Sequence, residues 1–189
     1  MLDGLPVLDL TDHRGQFGPW LLAQLGAEVI RVEPAGGATV DPQAWRHRGQ
    51  DLANLVYRTG ETVTELDPAS AADRGTLRQL VTDAAIVIDA GPPGRLAAFG
   101  IDRPKLLELN PDLVLVKVTP FGSDGPRASQ PAVELTVAAL GGPVRIQGTP
   151  DRAPVHHSVP QTWRHAGAEA AVASLVALAR ARQSGEAQF

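Results

Sequence analysis

Short apolar, β-branched runs alternate along this chain with stretches whose apolar residues recur at helical spacing. That alternation limits the fold more than any other feature. Strands separated by helices pair in parallel, because a crossover helix returns the chain to the same end of the sheet. Pro6–Leu10 reads as a first buried strand. Trp20, Leu21, Leu22 and Leu25 form the stripe of a helix that Gly26 stops, and Glu28–Glu33 is a second strand. Residues 38–55, with Asp41-Pro42 and no clear period, read as an excursion of loop and short helix. Thr62–Leu66 is a marginal strand, and a helix starting within Asp67–Ser70 buries Leu77, Leu80 and Val81. Ala85–Ile88 and Leu113–Val118 read as core strands, separated by a helix ending near Phe99 and another over Pro104–Leu109. Val133–Leu140 is helical. The longest element runs through Ala166–Ala181, with Pro160 suited to its first turn and Arg180 and Arg182 suited to the negative end of its dipole.

Charge and composition remove whole classes of function. Seventeen Lys and Arg against 21 Asp and Glu leave a net charge of −4, with no basic stripe for nucleic acid. The absence of cysteine excludes disulfides, thiolate metal sites and cysteine nucleophiles. The first residues, Met1-Leu2-Asp3-Gly4-Leu5, lack the layout of a signal peptide, and no apolar run is long enough to span a bilayer. The expectation is one globular, cytoplasmic domain over the 189 residues, without nucleic-acid or membrane partners.

Familiar site motifs are missing. The turn after the first strand, Thr11 to Gly18, lacks the glycine spacing of a dinucleotide fingerprint, so Glu33 reads as a plain strand-end charge. There is no Walker loop and no Gly-x-Ser-x-Gly elbow. The adjacent His156 and His157 cannot both face one metal from a regular element, and His165 has no helical zinc partner, so no metal ligand is assigned. Gly91-Pro92-Pro93-Gly94 lies at a strand's carboxyl end, as either a stiff turn or a ligand-binding one.

Ordered blocks of sequence resemble the class III CoA-transferases, the CaiB/BaiF family that includes formyl-CoA and carnitine CoA-transferases and α-methylacyl-CoA racemases. These blocks are Leu5–Leu10, Leu21–Pro34 with Gly36-Gly37, Thr64–Asp67, Ala85–Ile88 with Pro93-Gly94, Leu109–Val114, Phe121–Pro126, and the helix from Ala166 to Glu186. The resemblance implies a Rossmann-like parallel sheet with flanking helices, the amino-terminal part of that fold, truncated at its carboxyl end. It also implies acyl-CoA or CoA as substrate, no covalently bound cofactor, and subunits that associate as homo- or hetero-oligomers.

The family's nucleophile is an aspartate four residues before the glycine that aligns with Gly167; it attacks the thioester carbonyl. Trp163 stands there, an indole with one N–H donor and no nucleophilic oxygen, so no catalytic residue is assigned. Val133-Glu134 occupies the place of the racemases' His-Asp pair. Gly60-Glu61-Thr62 replaces a Gly-Lys-Arg run, and Ala90–Gly94 replaces Asn-Phe-Arg-Pro-Gly. That leaves Arg31, Arg46, Gly91 and Gly94 as the CoA-binding candidates, with Arg48 a further cation. Three functions remain open. The chain is a catalytically degenerate half or subunit, an active enzyme using Glu134 or Asp151, or a CoA-binding module. The helix from Thr162 to Gln183, apolar around much of its girth, is the expected contact between subunits.

Overall fold

The computed structural model describes residues 1–37 and 44–189. Five parallel strands form its sheet: β1 (Pro6–Leu10), β2 (Glu28–Pro34), β5 (Glu61–Leu66), β6 (Ile86–Asp89) and β7 (Val114–Lys117). Their spatial order is β5-β2-β1-β6-β7. Counting only these strands, that is the 3-2-1-4-5 order of the doubly wound nucleotide-binding folds, which reverses direction beside the first strand. The helices are α1 (Phe17–Gln24), α2 (Leu52–Tyr57), α3 (Ala71–Asp83), α4 (Arg95–Ala98), α5 (Arg103–Leu109), α6 (Glu134–Gly141), α7 (Pro143–Ile146) and α8 (Gln161–Ser184). The excursion expected before α2 contains a small hairpin, β3 (Arg46–His47) with β4 (Gln50–Asp51); strands of two residues are too short to show a period. Residues 38–43 of that excursion lie outside the described residues.

Side-chain parity makes the three layers. Val7, Val29, Ile86 and Ile88 point to one face and pack with Leu22 of α1 and with Ala170, Ala171 and Leu178 of α8. Leu8, Leu10, Val32 and Val87 point to the other and pack with Leu77 and Val81 of α3 and Leu106 of α5. Both faces of β1 and β6 are buried, which is why those strands read as unbroken apolar runs. β7 differs from its reading as a core strand. Val114 is buried, but Leu115 and Val116 are half-buried, and its outer edge pairs with Gln188 through two 2.9 Å backbone bonds. Hydrophobicity alone does not say which strand of a sheet is outermost.

Helix ends are set by local chemistry. Ser70 caps α3 through the Asp73 N–H, and Asp102 caps α5 through the Lys105 N–H. α3 has no glycine at its carboxyl end; the Asn110 carboxamide instead donates to the carbonyls of Val81, Thr82 and Ala84. α8 begins differently from its reading. Pro160 is its N-cap residue and offers no side-chain cap.

Candidate functional site

Two cavities flank the loop that follows β1. Thr11 and Asp12 line one; His13, Gln16 and Phe17 line the other. Arg14 holds this loop in place by pairing with Asp12 at 2.6 Å and donating to the Ala90 carbonyl at 2.7 Å, which ties it to the loop after β6.

The first cavity, about 350 Å³, opens at the carboxyl ends of β1, β2, β5 and β6, where sheets of this topology bind ligands. Gly94, Pro92, Pro93 and Arg95 supply one wall, and Arg31 and Glu33 another. Arg95 reaches across the strand ends, donating to Leu10 O and Val32 O at 2.7 Å each. Gly91 leaves room for that reach, because a Cβ there would lie 2.6 Å from Arg95 Cδ. Its N–H donates to Asp89 Oδ1 at 2.8 Å.

Beneath this cavity lies a buried ion network that sequence reasoning missed. Strand register sets Asp9 beside Arg31, and parity puts Arg31, Glu33 and Glu61 on the same face. Arg31 is 2% exposed and contacts Asp9 Oδ2 and Glu33 at 3.1 Å and Glu61 at 3.8 Å; Arg58 closes the cluster on Glu33. Burial opposes the Arg31 charge, yet Asp9, Glu61 and Glu33 outweigh it and push the guanidinium above its ordinary range. Burial, reinforced by the Asp9 and Glu33 carboxylates and only partly offset by Arg31, pushes Glu61 up to about 8. Burial likewise raises Asp9 and Asp89. Thus Arg31 borders the cavity but its guanidinium is engaged by carboxylates of its own sheet, and Glu33 is a buried partner rather than a plain strand-end charge. Glu61, which stands where the resemblance puts a phosphate-binding lysine, has its side chain packed inside. Arg46 is exposed on the β3–β4 hairpin, lining neither cavity.

The second cavity, about 540 Å³, lies between α1, α2, the segment 156–160 and the first turn of α8. Phe17, Trp45, Val56, Tyr57 and Trp163 make its walls apolar, while His13, Gln16, Asp51, His156, His157 and Arg164 bring polar groups to it. Phe17, Trp20 and Tyr57 form one aromatic cluster, with centroids 5.5–5.7 Å apart. Trp163 is 5% exposed and sits in the first turn of α8. α8 has no acidic residue in that turn. Glu134, 4% exposed at the start of α6, supplies the missing carboxylate; its Oε1 accepts the Thr162 N–H at 2.9 Å, and its Oε2 bonds His156 Nε2. Burial works to raise Glu134, but the Thr162 and His156 hydrogen bonds prevail and hold it below the ordinary carboxylate range. Asp151 is exposed and lines neither cavity. The Glu134–His156 pairing spans 22 residues, and nothing in spacing signals it. Among the described residues no cluster of His, Asp and Glu is arranged to hold a metal, and no helix is long and apolar enough to cross a membrane.

Comparison with known proteins agrees with this architecture. Relatives include the succinyl-CoA:(R)-benzylsuccinate CoA-transferase subunit BbsE of Thauera aromatica, 35% identical over 97% of this chain and 46% of its own length. The succinyl-CoA–D-citramalate CoA-transferase of Chloroflexus aurantiacus is 33% identical over 99% of this chain and 47% of its own. A CaiB/BaiF family protein from Brucella suis superposes with a TM-score of 0.86 at 30% identity, over 99% of this chain and 51% of that structure. The chain thus spans about half the length of the proteins it matches. The profile of CoA-transferase family III matches residues 2–189, and the chain belongs to that family.

Proposed function

We propose that this chain is a CoA-binding part of a class III CoA-transferase that does not itself carry out covalent transfer, acting as a silent half or subunit. The observation that carries the reading is Trp163. It is buried in the first turn of α8, at the position where the family resemblance puts an aspartate. The strand-end cavity is assigned to CoA, with Gly94 at its rim, Gly91 making room for Arg95, and Arg31 in its wall with its charge held by Asp9 and Glu33; Arg46, a candidate by sequence, lies outside both cavities. We treat residues 1–189 as one domain, working in the cytoplasm and associating with a second copy through α8. Val172 and Val176, one turn apart, are 60% and 66% exposed there.

The test is chemical trapping. The chain is incubated with succinyl-CoA and a free dicarboxylate, quenched with hydroxylamine or borohydride, and mapped by mass spectrometry. No adduct and no exchange of CoA is the expected result. A modified carboxylate would overturn the reading and name the true nucleophile.

A further inference from the structure

The Glu134–His156 pair has the form of a catalytic base with its orienting group. Both Glu134 oxygens are committed, one to the Thr162 N–H and the other to His156 Nε2. With Nε2 directed at a carboxylate, that nitrogen carries the ring proton, and Nδ1 keeps the lone pair that can accept another. His156 lines the larger cavity beside Trp163, where an indole offers no nucleophile and leaves attack to water. Two further polar atoms of that wall, His13 Nδ1 and Arg164 Nε, are buried without a hydrogen-bond partner among the described residues. Those two atoms are enclosed rather than open to the cavity, but the lining itself sets His13, Gln16 and His156 against Phe17, Val56 and Tyr57, which fits a ligand with a polar centre and an apolar body.

Resting on the assignment of acyl-CoA to this chain, we propose that His156, oriented by Glu134, activates water against the carbonyl of an acyl thioester with an apolar or aromatic acyl group. The chain then hydrolyses such thioesters rather than passing CoA to an acid. The water oxygen bonds to the carbonyl carbon as its proton moves to His156 Nδ1. The tetrahedral adduct collapses with cleavage of the C–S bond. The imidazolium returns its proton to the departing thiolate, which leaves CoA thiol and the free acid. No oxidant or second substrate is required. His156 is the catalytic residue here, and Glu134 is a positioning residue.

Phenylacetyl-CoA is a suitable probe, given without any acceptor acid, with thiol release followed colorimetrically in ¹⁸O-water. Thiol release above the buffer rate, with one ¹⁸O in the phenylacetate, is expected. His156→Ala lowers the rate about a hundredfold or more, the usual scale of a general base, and added imidazole restores part of it. Glu134→Gln lowers kcat while KM stays near its original value, and the exposed Asp151→Asn changes neither. Calorimetric binding of phenylacetyl-CoA without thiol release would overturn hydrolysis and leave the CoA-binding reading standing; absence of binding would overturn both. Release that survives His156→Ala in a chain of unchanged circular dichroism would also overturn the proposal.

Discussion

Gly18 of α1 and Gly167 of α8 meet backbone to backbone. A Cβ at Gly18 would lie 2.6 Å from the Gly167 carbonyl oxygen, and one at Gly167 would lie 2.9 Å from the Gly18 nitrogen. Helix α8 can therefore lie close against α1, and this contact brings the first turn of α8 to the wall formed by Phe17. Either glycine changed to alanine drives a methyl into main chain that cannot swing aside. Each substitution is expected to cost about 1–3 kcal/mol, even though alanine favours a helix interior. Gly75, exposed on α3 with open space where a Cβ would stand, is the control. Gly75→Ala should instead gain up to about 1 kcal/mol. Urea titrations of the three variants separate close approach from propensity.

Glu61 makes stability depend on pH in an identifiable way. Its side chain is wholly buried, its oxygens accept no hydrogen bond among the described residues, and burial pushes it up to about 8 in the folded protein. An unfolded glutamate titrates near 4.3, so between those values the folded state holds the extra proton. The stabilisation is complete below the unfolded value and is lost as pH rises through the folded one. Glu61→Gln removes this dependence. The variant should gain stability relative to the parent as pH goes from 5 to 8.5, read from denaturation midpoints; parallel curves would show that Glu61 does not titrate there.

Trp163→Asp places a carboxylate where the resemblance puts the family nucleophile, yet transfer activity is not expected to return. Removing the buried indole alone costs about 3–5 kcal/mol, and the aspartate would lie close to Glu134, which already serves the α8 terminus. A lower melting temperature with no CoA exchange is the expected pair of results. Recovery of exchange would show that the rest of the transfer machinery is intact.

CoA itself should bind weakly. The lysine and arginine expected from the family resemblance are replaced by Glu61 and by the turn at Gly91-Pro92, and Arg31 is already engaged by Asp9 and Glu33. Two lost charge-assisted contacts, each about 1.5–3 kcal/mol, weaken affinity about a hundredfold or more. Calorimetry should give a dissociation constant above the micromolar range, and tighter binding would point to Arg95 or Arg46 as effective replacements.

The main strands were legible because parity and apolar content are local properties. β1, β2, β5 and β6 fall where their sequence placed them, as do the start of α3 at the end of Asp67–Ser70 and the stop at Gly26. What was not legible depends on register. Nothing in the neighbourhood of Arg31 announces Asp9, 22 residues away, as its partner; that meeting exists only once β1 and β2 are paired. The same holds for Glu134, whose role as the cap of α8 and the partner of His156 requires α6, the 156–160 segment and α8 to be assembled together. Trp163 was placed at the α8 terminus through resemblance, while its burial among Phe17, Tyr57 and the histidines came from packing.

The Asn110 carboxamide has a meaning for the order in which the chain assembles. The carbonyls it satisfies at Val81, Thr82 and Ala84 lie 26 to 29 residues upstream. During synthesis those carbonyls leave the ribosome well before Asn110 and must stay hydrated in the interval. The end of α3 is therefore complete only once the α5–β7 turn is in place, and one strand-helix unit is finished by the next. At this junction the later unit secures the one made before it.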